Sequence, residues 1–147
     1  MRALREAIHH KKFARSYYFF GENEYLKDEA VRRLIDAAVD PATRDFNLDQ
    51  RKGADLDAAE VASLLGMPPM MAERRVIVIK DVGSLHKDAR KALDAYLKSP
   101  ASETLLVLTT AADGKADKGL LDRAEAVEFG QLNGAQVPQW IVARATE

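Results

Sequence analysis

Gly21, Lys27 and Asp28 stand close to the spacing of a phosphate-binding loop, G-x-x-x-x-G-K-[ST]. In such a loop the backbone N–H groups and the start of the following helix cradle phosphate, the lysine reaches its oxygens, and the hydroxyl holds magnesium. Here the frame is kept and two of its four fixed positions are changed. Leu26 replaces the second glycine, which lets backbone approach phosphate, and Asp28 replaces the Ser/Thr. Asp28, Glu22 and Glu24 bring negative charge where phosphate would sit, and acids there suit the helix dipole instead. Lys27 alone does not restore the site. The residues favour a capped strand-to-helix turn over nucleotide binding.

Other positions of an NTPase are similarly hollow. Val76–Asp81 has the shape of a strand ending in a magnesium-binding acid, but Lys80 precedes Asp81 and Val82 stands where a water-activating glutamate belongs. Thr109 and Thr110 end another apolar run, where some ATPases keep a polar sensor, although a polar residue there is ordinarily turn chemistry. The two adjacent histidines, His9 and His10, point about 100° apart on a helix and do not share one metal easily. His86 opens a helix and reads as exposed. Asp113, Asp117 and Asp122 fit no calcium spacing, no serine sits in a nucleophile elbow, and the chain has no cysteine. No metal and no cofactor are expected.

The segment Leu64–Val76, LLGMPPMMAERRV, is of another kind. Met70 and Met71 follow Pro68 and Pro69 in a connection that would ordinarily be polar, with Met67 nearby. Methionine is flexible and polarizable and suits adaptable contact surfaces, and the prolines stiffen the approach. Residue types leave two readings open: a plug at the end of the core, which they slightly favour, and an exposed docking tip.

The elements that must position these residues alternate. A short amphipathic helix near Leu4–Ile8 precedes the strand Ser16–Phe20. A helix carrying Leu26, Ala30, Val31, Leu34, Ile35 and Ala38 is stopped by Pro41, and Phe46–Gln50 alternates as a short edge strand. A helix through Leu56–Leu65 ends at Gly66, followed by the strand Arg75–Ile79, a helix through Ala89–Leu97, the strand Thr104–Thr110, a short helix at Leu120–Leu121 and a last strand Ala126–Phe129. A final helix is expected to begin in the closing segment, residues 133–147. Continuous apolar strands separated by helices predict an α/β fold, a parallel sheet covered by helices on both faces. The 147 residues are 47% hydrophobic and 31% charged with net charge −1, so no overall basic field advertises nucleic acid. The apolar runs are too short to span a bilayer, and Met1–Arg15 lacks the apolar middle of a signal peptide. The expectation is a cytoplasmic protein with no membrane association.

One ordered set of phrases resembles a known family. Tyr17, Tyr18, Gly21, Glu22, Asn23, Tyr25 and Leu26, then Asp45-Phe46-Asn47, then Met67–Arg75, and finally Leu132, Gly134, Trp140 and Ile141, together resemble the N-terminal domain of the delta subunit of the bacterial DNA polymerase III clamp loader. The resemblance implies a degenerate P-loop NTPase module of the AAA+ or RecA-like kind without ATPase activity. It implies that residues 1–131 form a clamp-binding domain lacking an ATP site and that 132–147 begin a linker and a truncated lid-like second domain. The implied partner is the ring-shaped sliding clamp, the beta subunit, engaged by Met70 and Met71 with Pro69 beside them. Other loader subunits would be joined through a C-terminal domain absent here, and DNA contact would belong only to the complete complex in the replisome. The chain itself would be non-catalytic within a DNA-directed DNA polymerase holoenzyme. A live P-loop ATPase or kinase and a flavodoxin-like signalling module are the alternatives.

Overall fold

A computed structural model describes residues 2–111 and 115–130. Five parallel strands, β1 (Ser16–Phe20), β2 (Leu48–Lys52), β3 (Arg75–Lys80), β4 (Thr104–Thr109) and β5 (Glu125–Glu128), form one sheet in the order β2-β3-β4-β1-β5. Among the described residues six α-helices accompany them: α1 (Arg2–His10), α2 (Glu24–Ala38), α3 (Arg44–Asn47), α4 (Ala58–Gly66), α5 (Lys87–Leu97) and α6 (Lys118–Arg123).

The pleat sends alternate residues of each central strand to opposite faces. Tyr17 and Phe19 of β1, Val76 and Val78 of β3, and Leu105 and Val107 of β4 meet α2 and Leu4 of α1. Tyr18, Ile77, Ile79, Leu106 and Leu108 meet α4, α5 and α6 instead. Both faces are therefore buried, which is why β3 and β4 are apolar without alternation. The helix after β1 covers one face and the helix after β4 covers the other. A crevice consequently opens between these neighbouring strands at their carboxyl ends, the usual ligand position in such sheets.

Helix starts are set by side-chain caps. Asn23 accepts a hydrogen bond from the Leu26 amide at 3.0 Å, and Asp57 accepts one from Glu60 at 2.7 Å. The apolar stripe of α2 is buried as its spacing requires, Leu26 included. This helix gives way at Val39, two residues before Pro41. Several boundaries differ from expectation. Phe46 and Asn47 belong to the short helix α3, and the edge strand starts at Leu48, because Asn47 is drawn out of the ladder by tertiary hydrogen bonds. Leu56 lies before α4 rather than within it, although it is buried. Thr110 lies just past the end of β4, while β5 begins at Glu125, one residue earlier than expected, and ends before Phe129. The expected closing helix lies outside the described residues.

Asp117, read as one of several scattered acids, ties three elements together. Its carboxylate caps α6 at Leu120, its amide donates to the Tyr18 hydroxyl of β1 at 2.9 Å, and Arg90 of α5 grips it with two bonds of 2.7 and 2.9 Å. Hydrogen bonding from Arg90, with further help from the Leu120 amide, holds the Asp117 carboxyl at about 2. Its folded pKa thus lies below the ordinary value of about 3.9, so the ionised form stabilises the fold above that value and the contribution fades as pH falls from about 4 to about 2. Asp117→Asn should melt at lower temperature than the parent at neutral pH, with the difference shrinking across that window. A gap that stays constant from pH 7 to pH 2 would remove the Arg90–Asp117 pair as its cause.

Candidate functional site

Two candidate regions lie at opposite ends of the sheet. The turn after β1 sits at the carboxyl ends of the strands, whereas the connection from α4 to β3 sits at their amino ends.

In the first region Gly21 has φ +112°, and a Cβ there would lie 2.3 Å from the Phe129 carbonyl oxygen, so only glycine fits. The backbone of Phe129 closes over the turn. Its N–H donates to Phe20 at 2.8 Å, and its carbonyl accepts from the Asn23 amide at 3.0 Å. The Leu26 amide is taken by the Asn23 side chain and the Lys27 amide by the Asn23 carbonyl at 3.1 Å. Donors that a phosphate-binding loop points at phosphate are thus occupied within the chain. Lys27 is 1% exposed, and its ammonium donates to the Thr110 carbonyl at 2.8 Å and to the Thr110 hydroxyl at 3.4 Å while pairing with Glu24 at 2.6 Å. Three acceptors match the three donors of an ammonium group. Thr110, dismissed in the sequence as turn chemistry, is the lysine's principal anchor. Leu26 is buried, and Asp28 is exposed beside Arg32 and Lys80 rather than aimed at the turn. Asp81 follows β3 in a left-handed conformation and is exposed.

In the second region the methionines are not a plug. Met70 is 53% exposed and Met71 84%, with Met67 also exposed and Pro69 half-buried. A strong local constraint fixes this tip. The fully buried Asn47 carboxamide accepts from the Met70 amide at 2.7 Å and donates to the Met70 carbonyl at 2.7 Å, and it also reaches the Thr43 carbonyl at 3.3 Å. Met71 then turns at φ +55°, a left-handed conformation costing a non-glycine residue roughly 1–2 kcal/mol. The two arginines that follow secure the downstream side. Arg74 lies over the Phe13 ring at 4.7 Å. Buried Arg75 donates to the Phe46 carbonyl at 3.0 Å and pairs with Asp49. Phe46, beside Asn47, is 57% exposed, so four of the five large exposed apolar side chains among the described residues belong to this region. Beside the tip, Met71, Arg74, Lys11 and the end of α2 line a cleft of about 660 Å³.

Asn47 and Arg75 are the positioning residues that types and spacing did not reveal. The phrases Asp45-Phe46-Asn47 and Arg74-Arg75 marked their places, but only the fold brings Asn47 to Met70 across 23 residues of chain. Among the described residues no group of three or more potential metal ligands converges, and no helix is long and apolar enough to cross a membrane. Asn47→Ala should cost about 1–3 kcal/mol, since it leaves two part-buried backbone groups of Met70 unpaired. Hydrogen exchange at the Met70 amide should accelerate far more than exchange in β3 and β4. Equal acceleration throughout would mean that Asn47 supports the whole domain rather than the tip.

The family model and two Bacillus subtilis relatives point to one family. The family model for the DNA polymerase III delta subunit matches residues 17–128. DNA polymerase III subunit delta of Bacillus subtilis is 29% identical over 86% of this chain and 40% of its own length. The solved Bacillus subtilis DNA clamp loader delta protein superimposes with a TM-score of 0.81 at 26% identity, covering 99% of this chain and 47% of that one. The chain thus spans less than half the length of these relatives. The Thermotoga maritima Holliday junction branch migration motor RuvB, with TM-score 0.56 at 19% identity over 87% of this chain and 42% of that one, shares the fold alone. That fold is the AAA+/RecA-like P-loop architecture, and with residues 17–128 matched along its five strands the chain belongs to the DNA polymerase III delta subunit family.

Proposed function

We propose that this chain is the clamp-binding part of a clamp-loader delta subunit, docking a sliding clamp through Met70 and Met71 with Pro69 as their stiff support. The observation that carries this reading is a strained, highly exposed methionine held in place by a buried carboxamide. A fold that merely needed to connect α4 to β3 gains nothing from an exposed Met71 in a left-handed conformation. Strain of this sort persists only where the surroundings over-determine it, and it gathers at binding sites. Because Asn47 fixes the Met70 backbone before any partner arrives, little ordering is left for the moment of docking. Each methionine contributes on the order of 1.5–3 kcal/mol if it enters an apolar pocket completely. Such a contact favours an opened clamp only as far as it binds that form better than the closed one.

The turn from Gly21 to Asp28 is assigned no nucleotide. Its amides and the Lys27 ammonium are already engaged, so phosphate would have to displace the Asn23 cap and break the Lys27–Thr110 contact. ATP would then act on other subunits, joined through the part of the relatives' length that this chain does not span. Residues 1–131 are the clamp-binding domain and 132–147 lead toward a lid-like one. The working location is the cytoplasmic replisome, within a holoenzyme whose polymerase chemistry resides elsewhere.

Binding to a sliding clamp, followed with the full-length subunit, tests this directly. Met70→Ala with Met71→Ala should weaken binding by at least about 30-fold, mainly through faster dissociation, and magnesium-ATP should leave the melting temperature unchanged. Undiminished affinity of the double variant would take the methionines out of the interface. A rise of several degrees with millimolar magnesium-ATP would restore the turn as a nucleotide site.

A further inference from the structure

Met67, Met70 and Met71 are three of the four methionines in the sequence, and all three stand exposed in the connection from α4 to β3. The chain has no cysteine, so no thiol competes for an oxidant and the thioethers are its oxidisable sulfurs. Phe46, the other exposed apolar side chain of this region, carries no sulfur. A leucine pair at 70 and 71 would give a comparable apolar tip without a group that peroxide attacks.

The fold separates the chemistry of these sulfurs from its own stability. Asn47 holds Met70 through the backbone amide and carbonyl alone, at 2.7 Å each, so a change at the sulfur leaves both bonds in place. Met71 is 84% exposed, and an oxygen added to its sulfur meets water rather than the core. A methionine packed inside a core is different, because its sulfoxide disrupts the packing around it. At this tip the penalty arises only on docking, when a polar S=O group leaves water for an apolar pocket that offers it no hydrogen bond.

We infer that Met70 and Met71 form a reversible oxidation site, at which peroxide converts the tip to methionine sulfoxide and prevents docking. The consequence for docking rests on the reading given to the same two residues above. In the step itself the thioether sulfur attacks one oxygen of the peroxide. The O–O bond breaks, an S–O bond forms, the sulfur gives up two electrons, and the second oxygen leaves with both protons as water. Methionine sulfoxide reductases reverse this with a dithiol as reductant: the oxygen departs as water and the dithiol becomes a disulfide. Oxidation makes the sulfur a stereocentre, so full reversal takes two reductases, one for each epimer. Docking covers the sulfurs, so the switch acts on the free subunit and spares the assembled one.

The test exposes the full-length subunit alone to hydrogen peroxide, which catalase removes before a sliding clamp is added. Peptide mass mapping should show Met71 gaining one oxygen ahead of Met70, in the order of their exposure. Affinity for the clamp should fall by at least about 10-fold, the melting temperature should not move, and the two reductases together should restore binding. Met70→Leu with Met71→Leu should bind the clamp and keep its affinity through the same treatment. Equal sensitivity of the leucine variant traces the damage to other residues and overturns the switch. A melting temperature that falls together with affinity overturns it too, since the oxygen would then have damaged the fold. Full affinity with both methionines oxidised, while the alanine pair still weakens binding, removes the switch and leaves the docking reading standing. If the alanine pair binds as the parent does, the docking reading fails and the switch fails with it.

Discussion

The buried carboxamide of Asn47 governs the exposed end of this molecule. Its oxygen and nitrogen both face the backbone of Met70, so that peptide is held as firmly as a residue in a sheet ladder although it belongs to no element. Everything distinctive about the connection follows. Asn47 closes the short helix α3, and the edge strand begins at Leu48, two residues later than the alternation of Phe46–Gln50 suggests. With Met70 fixed, Met71 must turn through the left-handed region and face solvent. Arg75, four residues after Met71 and buried at the start of β3, returns the chain to the sheet by holding the Phe46 carbonyl next to Asn47.

The opposite end of the sheet uses the same device to a different result. A lysine at the position of a phosphate-loop lysine is folded inward onto Thr110, and an asparagine cap takes the amides that would face an anion. The crevice between β1 and β4 is thereby filled by the chain's own groups. Phe129 completes the closure by lying against Gly21, where no side chain could be accommodated. A buried ammonium is tolerable only when its donors are satisfied and a counter-charge stands near, and Thr110 and Glu24 supply both. The architecture thus keeps the frame of a nucleotide-binding fold while the interactions within the frame are intramolecular.

Much of the scaffold was legible because burial on both faces leaves a plain imprint. Arg75–Ile79 and Thr104–Thr110 read as interior strands since a parallel sheet between helices permits no polar alternation. The α2 stripe read correctly for the same reason, with Leu26 inward as its spacing required. The changed positions of the phosphate loop were equally visible, because a missing glycine and a missing hydroxyl are matters of residue type. Asp117 was not legible: its contact with Tyr18 and its pairing with Arg90 join residues 99 and 27 positions apart. Thr110 was undervalued for a similar reason, since its partner Lys27 lies 83 positions away.

By itself, then, the sequence determined the α/β class, the covered parallel sheet, the altered loop and the family to which the ordered phrases point. These depend on periodicity and residue type, which are local properties. Tertiary structure alone decided whether Met70 and Met71 fill the core or stand in solvent. A methionine has the same apolar character in either place, and its exposure here is set by Asn47, a residue far along the chain whose two hydrogen bonds exist only once the fold has formed.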